Sequence, residues 1–445
     1  MALYIPRNKK HWVRRVLSLG LALPIFFALL LILLVGCSQS EQADSSEHSE
    51  TSLQLDTAVP RASAASAVSE PQCASSEPLR QAFFGDVHIH TAYSMDAYTS
   101  DVRMRPEDAY RFARGEPIAL TAGRTAQLER PLDFAAVSDH AEYLGEVSLC
   151  TTPGSTAYHE TRCAIYRGEN PAAGRGARMG VLLDQVAPFV TLAPFPALGT
   201  PVRSPLLCGD DFSECRKAAT SVWAESQAAT ERMHDDSPSC EFTAFHAYEY
   251  TWTPQLSKIH RNVIFRNATV LETPVTSVEA SPRELWETLQ EECLDADNGC
   301  DVLAIPHNPN LSNGRMFKLD YLDAPLAEQP GLAALQARLE PLVEVLQVKG
   351  DSECRNGFAD VLGGADEFCE FEKFRPAETE DCGEGTGIGA LGNSGCIARR
   401  DFVRYALIDG LKEQSRIGVN PLKLGFSAST DSHNGSPGDT EEYSY

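Results

Sequence analysis

Apolar positions along this chain gather into short runs set between polar, Gly- and Pro-rich stretches. Seven runs stand out: Phe83 to His90, Phe134 to His140, Phe242 to Glu249, His260 to Phe265, Val302 to His307, Leu342 to Val348 and Leu424 to His433. They are largely unbroken by charge and flanked by Gly, Pro, Asn or Asp, which suits strands buried on both faces of a parallel α/β sheet. Helical stretches fall between them. Pro106 to Arg114 reads as a helix closed by Gly115. Ser281-Pro282-Arg283-Glu284 is a capping box with proline at the first helical position, opening a helix that runs to about Leu294. Asp401 to about Ser415 reads as another. Strand, crossover helix and parallel strand is the grammar of βαβ units. Closed into a ring, such strands deliver their end residues to one mouth.

Two long stretches interrupt this rhythm, roughly Leu149 to Cys240 and Lys349 to Cys396. They are too long for simple connections. The first carries five cysteines and the second four. Both read as disulfide-tied loops or caps over the mouth, with surface decoration as the alternative. The chain has 13 cysteines, and setting Cys37 aside leaves an even number, which suggests disulfides in an oxidising compartment. The spacing Cys208 to Cys215 recurs in Cys293 to Cys300, as local staples would. No C-x-x-C pair occurs, which argues against a cysteine zinc site. The chain stops at Tyr445, where a barrel strand is ordinarily followed by a covering helix, so it reads as ending short of its natural C-terminus.

The N-terminal segment is a targeting device. Arg7, Lys9, Lys10, Arg14 and Arg15 precede an apolar run from Val16 to Val35, and Leu34-Val35-Gly36-Cys37 then resembles the bacterial lipobox. This divides the chain into a lipoprotein signal peptide (1–36), a Ser-, Glu- and Ala-rich flexible tether (37–78) lipidated at Cys37, and a folded domain (79–445). An uncleaved membrane anchor is the alternative, since the run is long enough to span. Both place the domain outside the cytoplasm, and Ser38 after the cysteine, by resemblance to Gram-negative sorting, points to the outer membrane facing the periplasm. Hydrophobic residues make up 43% of the 445, enough for a sizeable core. The formal charge of −24 argues against nucleic acid as a partner.

The chemistry lies at the run ends. His88 and His90 are two apart and share one strand face. Asp431-Ser432-His433 repeats that spacing at the far end of the chain. His140, Glu249, His260 and His307 each close or open a run. Six of the 11 histidines occupy such positions. Buried structural histidines would explain one or two of them, but not a set recurring across the runs, so a shared metal site follows. His246 lies an odd number of residues before Glu249, which turns it to the other strand face.

This series resembles the PHP (polymerase and histidinol phosphatase) superfamily, whose distorted seven-stranded barrel holds up to three metals on nine ligands. That pattern begins with H-x-H, as in His88 and His90, and places a third ligand six residues later, where Asp96 stands. It continues with a histidine matching His140, a bridging glutamate matching Glu249, then His260, His307 and the closing Asp431 and His433. Gly85-Asp86-Val87-His88-Ile89-His90-Thr91, Ile305-Pro306-His307-Asn308 and Thr430-Asp431-Ser432-His433-Asn434-Gly435 are more closely similar to the domain-of-unknown-function family 3604, a branch related to PHP proteins. The resemblance implies an α/β, distorted seven-stranded PHP-like barrel with disulfide-containing insertions.

The expected function is a lipid-anchored, metal-dependent hydrolase acting on a small-molecule, phosphorylated substrate. Two or three divalent ions (Zn, Mn or Fe) would share a bridging hydroxide. Glu249 would bridge the metals, and Asp431 would bind metal and orient the hydroxide. Arg261 and Arg355 are candidate substrate contacts, and each has a structural ion pair as its plainer reading. Glu344 sits inside a strand and faces either the mouth or the interior. Ser94 lies near the site without a partner pattern that would mark it as a nucleophile. An amidohydrolase-like activity on C–N or lactone bonds uses the same ligands. A non-catalytic metal-binding envelope lipoprotein is a third alternative.

Overall fold

The computed structural model describes residues 73, 79, 81–119, 125–182, 202–357, 366 and 368–438. The expected signal peptide and Cys37 lie outside these residues, as does the tether apart from Cys73. Each apolar run forms a strand: β1 (Gly85–Ile89), β4 (Phe134–Val137), β5 (Thr243–Tyr250), β6 (Arg261–Phe265), β7 (Val302–Pro306), β8 (Leu342–Gln347) and β10 (Gly425–Ala428). The short β2 (Ile118–Ala119) and β3 (Thr125–Ala126) pair with each other, and β9 (Gly350–Asp351) turns back on β8. The larger sheet has the order β1-β4-β5-β6-β7, and the smaller one β10-β8-β9.

Two expectations are corrected here. The strands are not all parallel: β6 is antiparallel to both β5 and β7. Only residues 251–260 separate β5 from β6, too short a connection for the crossover a parallel pair requires. The ring is also not a closed barrel. Among the described residues no ladder joins β7 to β8, and the chain beyond β10 meets β1 through a single bridge, Ile89 to Ser432. The fold is therefore a mixed α/β arrangement of two sheets.

The interior face is apolar at its base. Ala136, Ala247, Ile264 and Ile305 pack with Val87, Phe245, Leu303 and Leu342. Alternation along a strand places Ala247 and Glu249 on one face, and Ile264 on the face of Asn262 and His260. The metal-type residues thus stand directly above an apolar floor. In β1 the register shifts between Asp86 and Ile89, a bulge of the kind that re-aims side chains.

Helices cover the outer faces. Trp223 of the helix Ser213–Met233 and Leu285, Trp286 and Leu289 of Pro282–Leu289 pack on Tyr248, Tyr250, Val263 and Phe265. Ala109, Tyr110 and Ala113 of Pro106–Ala113 cover Ile89, Ala135 and Val137. Gly115 closes that helix at φ +82°, a conformation favoured by glycine. The capping box at Ser281 forms, with its side chain accepting from Glu284 N, and the helix continues as a π turn to Leu294.

The first long insertion is not only loops, because it holds the crossover helix Ser213–Met233. Its smaller helices, Thr161–Tyr166 and Arg175–Leu182, brace the short helix Met95–Thr99 that carries Asp96. Tyr166 Oη donates to Met95 O (3.0 Å), and Arg175 to Asp96 O (3.2 Å). The second insertion meets the loops after β5 and β7, with Gly389 N donating to Gln255 O and Gly387 N to Asn313 O. Disulfides staple both insertions: Cys150–Cys163, Cys208–Cys215, Cys354–Cys369 and Cys382–Cys396, with Cys293–Cys300 tying the π turn to the residues just before β7. Cys73, within the expected tether, is bonded to Cys240. Such a set belongs to an oxidising compartment. No helix of the described residues is long and apolar enough to cross a membrane.

Candidate metal centre

All nine expected ligands converge. His88 Nε2 lies 3.2 Å from Glu249 Oε1 and 3.3 Å from Asp431 Oδ1. His90 Nε2 is 3.0 Å from the same Asp431 oxygen and 3.9 Å from Glu249 Oε2. Glu249 also meets His140 and lies 3.1 Å from His260 Nδ1. Asp96 stands 3.5 Å from His140 Nε2 and 3.1 Å from His433 Nε2. The His307 ring centroid is 4.7 Å from that of His260 and 5.9 Å from that of His88. Three interlocking triads have donor atoms within 4.8 Å of one another: His88–His90–Asp431, His90–His140–His433 and His140–Glu249–His260. His90 and His140 each belong to two of them.

The closing pair reaches the site by a turn rather than on a strand. β10 ends at Ala428, and Asp431 adopts φ +54°, a left-handed conformation that aspartate tolerates better than most residues.

The donor set fits divalent ions. His88 Nε2, His90 Nε2, both nitrogens of His307 and Asp431 Oδ1 are buried without a hydrogen-bond partner. Five such atoms in one cluster need an explanation. Cations coordinated there would satisfy them, and imidazole with carboxylate suits Zn, Mn or Fe. Two other groups, Glu146–Cys208–Cys215 and Cys354–Asp366–Cys369, have their sulfurs locked in disulfides and offer no thiolate.

Neighbouring groups hold the imidazoles in orientation. His88 Nδ1–H donates to Glu344 Oε2 (2.9 Å), which leaves Nε2 bare toward the cluster. His90 Nδ1–H donates to Ser94 Oγ (2.8 Å), whose hydroxyl donates to Asp139 Oδ1 (2.6 Å). His433 Nδ1–H donates to the Asp431 carbonyl (2.9 Å). His140 Nδ1–H reaches Thr251 Oγ1 (2.6 Å), which donates to Glu249 Oε2 (3.1 Å). Such outer partners fix the tautomer and ring orientation of metal-binding histidines.

Burial works to raise the Glu249 carboxyl, but the adjacent His140 and His260 outweigh it and hold it well below the usual range. Asp431 is likewise held down, burial being overcome by His88 and His90. Burial, then His433 and His140, pushes the His90 imidazole down to about 3, and burial takes His260 to about 4. These two rings are neutral, the form that ligates metal.

The two arginine expectations are corrected. Arg261 alternates with His260 on its strand and points away, pairing with Glu340, which also accepts from Trp286 Nε1 (2.8 Å). Arg355 donates to the carbonyls of Pro376 (3.0 Å) and Ala377 (2.6 Å) within the second insertion. Both guanidiniums are thus engaged by partners other than the nine ligands. A cavity of about 640 Å³ does border it at Asp431 and His433, lined also by Gln347, Thr430, Asn434 and Ser436.

With this geometry in view, comparison supplies the family. The family described as protein of unknown function (DUF3604) matches residues 77–445. The chain belongs to the DUF3604 family. No match was found among curated proteins or among solved structures. The match to DUF3604 spans all nine converging residues, from His88 to His433.

Sequence reasoning left the supporting residues of this DUF3604 protein open. Glu344 proves to face the cluster, and Ser94 bridges His90 to Asp139. Asp139, directly before His140, carried no spacing signal. Lys349, just beyond β8, was not singled out, yet it is buried beside the site.

Proposed function

We propose that this chain is a lipid-anchored, extracytoplasmic metal-dependent hydrolase, and that its site serves phosphoester cleavage best. One observation carries the reading: nine ligand-type side chains converge, with five buried ligand atoms among them that lack a hydrogen-bond partner. The larger sheet runs in chain order from β1 to β7 and the smaller one pairs β8 with β10, which is compatible with an open, distorted PHP-like arrangement. Two or three Zn, Mn or Fe ions held here would supply Lewis acidity and acidify a water for in-line attack.

The protein's own residues do the positioning. Glu249 touches four imidazoles, His88, His90, His140 and His260, where a carboxylate could serve two ions. Asp431 has Oδ1 uncommitted beside His88 and His90, placed to hold an ion and orient the attacking water. The apolar floor beneath, from Ala136 to Ile305, keeps bulk water from that side. The disulfides support an extracytoplasmic location, the lipobox-like Cys37 supports a lipid anchor and Ser38 after it supports the outer membrane facing the periplasm. The formal charge of −24 favours a small molecule over nucleic acid as partner.

The test is metal analysis paired with turnover of a generic phosphodiester. Unmodified protein should carry two or three equivalents of metal and hydrolyse it. Glu249→Ala and Asp431→Ala should lose both metal and turnover, and full activity in either variant would sink the mechanism. Turnover of amides or lactones but not phosphoesters would favour C–N or lactone hydrolysis. Bound metal without an exchangeable water would favour a binding role.

A further inference from the structure

The cavity of about 640 Å³ that borders Asp431 and His433 lies between Gly85 and Asp86 of β1, the end of β8 and the turn after β10. Its size falls within the roughly 300–1,000 Å³ of small-molecule sites. Three polar residues that line it carry atoms left unpaired. Gln347 is buried at 2% exposure, and its Nε2 donates to Glu344 Oε1 (2.7 Å). That bond fixes the amide, because an amide oxygen cannot face a carboxylate, and Oε1 has no partner among the described residues. Ser429 Oγ and Ser432 Oγ, on the turn that delivers Asp431 and His433, are likewise buried without one.

We propose that this cavity is the subsite for the alcohol portion of a phosphate ester, and that it takes a neutral, polyhydroxylated group such as a sugar. The inference rests on the metal-dependent phosphoesterase reading above and names the substrate class of that site.

Position favours the subsite first. Asp431 and His433 belong both to the ligand set and to the cavity wall, so a group seated there adjoins a phosphoryl held at the centre. Charge then narrows the ligand. Among the described residues no Lys or Arg lines the cavity, so the phosphoryl anion itself finds no cationic side chain in it. The Asp86 carboxylate is filled by Thr430 Oγ1, Thr430 N (3.2 Å), Gly438 N (3.0 Å) and His88 N (3.2 Å), which leaves it unavailable to an amine. Hydrogen bonding gives the class. Gln347 Oε1 can only accept, and the two serine hydroxyls can donate or accept. Rotation about one bond turns each hydroxyl toward an occupant. Sugar hydroxyls also do both, and would satisfy groups whose burial unpaired costs stability.

In hydrolysis the water oxygen adds to phosphorus, the P–O bond to the alcohol breaks, and the alcohol oxygen takes up the proton. The alcohol is therefore the part by which esters differ at this site. Gln347 is a poor probe of the subsite, because replacing it also releases Glu344 and through it His88. The serines suit better. Their hydroxyls hold nothing among the described residues, and Ser429→Ala with Ser432→Ala keeps the backbone bond from His90 N to Ser432 O (2.9 Å).

Turnover of glucose phosphate, phenyl phosphate and phosphoethanolamine by the metal-loaded full chain would be compared, with metal content determined on the same samples. The unmodified chain should favour glucose phosphate over the other two by about 10-fold in kcat/KM, as two or three net hydrogen bonds would give. The double serine variant should lose most of that preference at unchanged metal content. Equal turnover of glucose and phenyl phosphates, or a preference that the double variant keeps, would overturn the subsite alone. A preference for phosphoethanolamine would overturn its neutral character. A metal-loaded chain that cleaves none of the three esters would overturn the reading beneath it, and the subsite with it.

Discussion

Glu249 is fully buried and meets four imidazoles, yet its carboxyl is held well below the usual range because His140 and His260 outweigh the cost of its burial. A carboxylate so placed depends on its neighbours keeping their orientation, and Glu344 illustrates how. It accepts from His88 Nδ1 and from Asn308 N, so one side chain aims His88 and fixes the loop after His307. Glu344→Gln keeps size and one acceptor but weakens the charge-assisted bond to His88. Metal affinity should fall about 10- to 100-fold, as for other partners that orient metal-binding histidines. Competition with a chelator of known affinity would measure it, and an unchanged affinity would show that His88 is held by packing alone. His246 gives a pH signature away from the site. Burial, then the charge of His234, lowers its imidazole from 6.5 to about 4. Between those values the unfolded chain takes up a proton that the folded chain does not. Its contribution to stability is therefore complete above pH 6.5 and is lost as pH falls toward 4. His246→Phe should flatten the acid limb of a plot of urea midpoint against pH in that window, and an identical slope would rule this residue out as its source.

At the scale of elements, the connections decide what the strands can do. The apolar runs announce strands at the correct places because burial on both faces demands unbroken apolar sequence. Strand direction is carried by connection length instead, and the 251–260 connection, though it has no hairpin turn signature, is short enough to signal that β6 reverses. Ligands at run ends were legible because His, Asp and Glu are conspicuous in apolar surroundings. Arg261 was misjudged for the complementary reason: adjacency to His260 in sequence means the opposite face on a strand, and the burial partner Glu340 is remote in the chain. Glu344, Ser94 and Asp139 act through contacts between distant segments that no local spacing encodes. The cysteines were legible in number, and the seven-residue loops as staples, while the Cys73–Cys240 link was not. That link spans a sequence separation of 167, against 7 for Cys208–Cys215. Loop-closure entropy then predicts unequal effects of removal, about 5 kcal/mol for Cys73→Ser with Cys240→Ser and about 2.5 kcal/mol for Cys208→Ser with Cys215→Ser. Denaturant titrations of the two double variants would test the order. A larger loss from the short loop would mean that local packing around Cys208, buried with Cys215 in the insertion core, outweighs chain entropy.

At the scale of the whole molecule, the candidate metal centre lies where the two sheets come together. His88, His90, His140, Glu249, His260 and His307 are carried by the larger sheet and its loops, whereas Asp431 and His433 follow β10 of the smaller one. Between the sheets the backbone supplies only sparse ties, such as the Ile89–Ser432 bridge and the bond from His90 N to Ser432 O (2.9 Å). Asp86 adds side-chain contacts to Thr430 and accepts from Gly438 N (3.0 Å). Ions bound by His88 and His90 on one side and Asp431 on the other would therefore act as a clamp across a seam that no continuous ladder joins. A ligand that binds only the folded state stabilises it by about 2.7 kcal/mol at 100 times its dissociation constant. Here the gain should not be spread evenly. Removing metal with a chelator should speed hydrogen exchange most in β8, β10 and the 429–438 turn, and least in the β4–β5 ladder, which both neighbours and covering helices protect. Equal acceleration everywhere would mean the sheets open together and the metal stabilises the fold as a unit. No acceleration at the seam would mean the side-chain ties at Asp86 and Glu344 suffice to hold it, leaving the ions to chemistry alone.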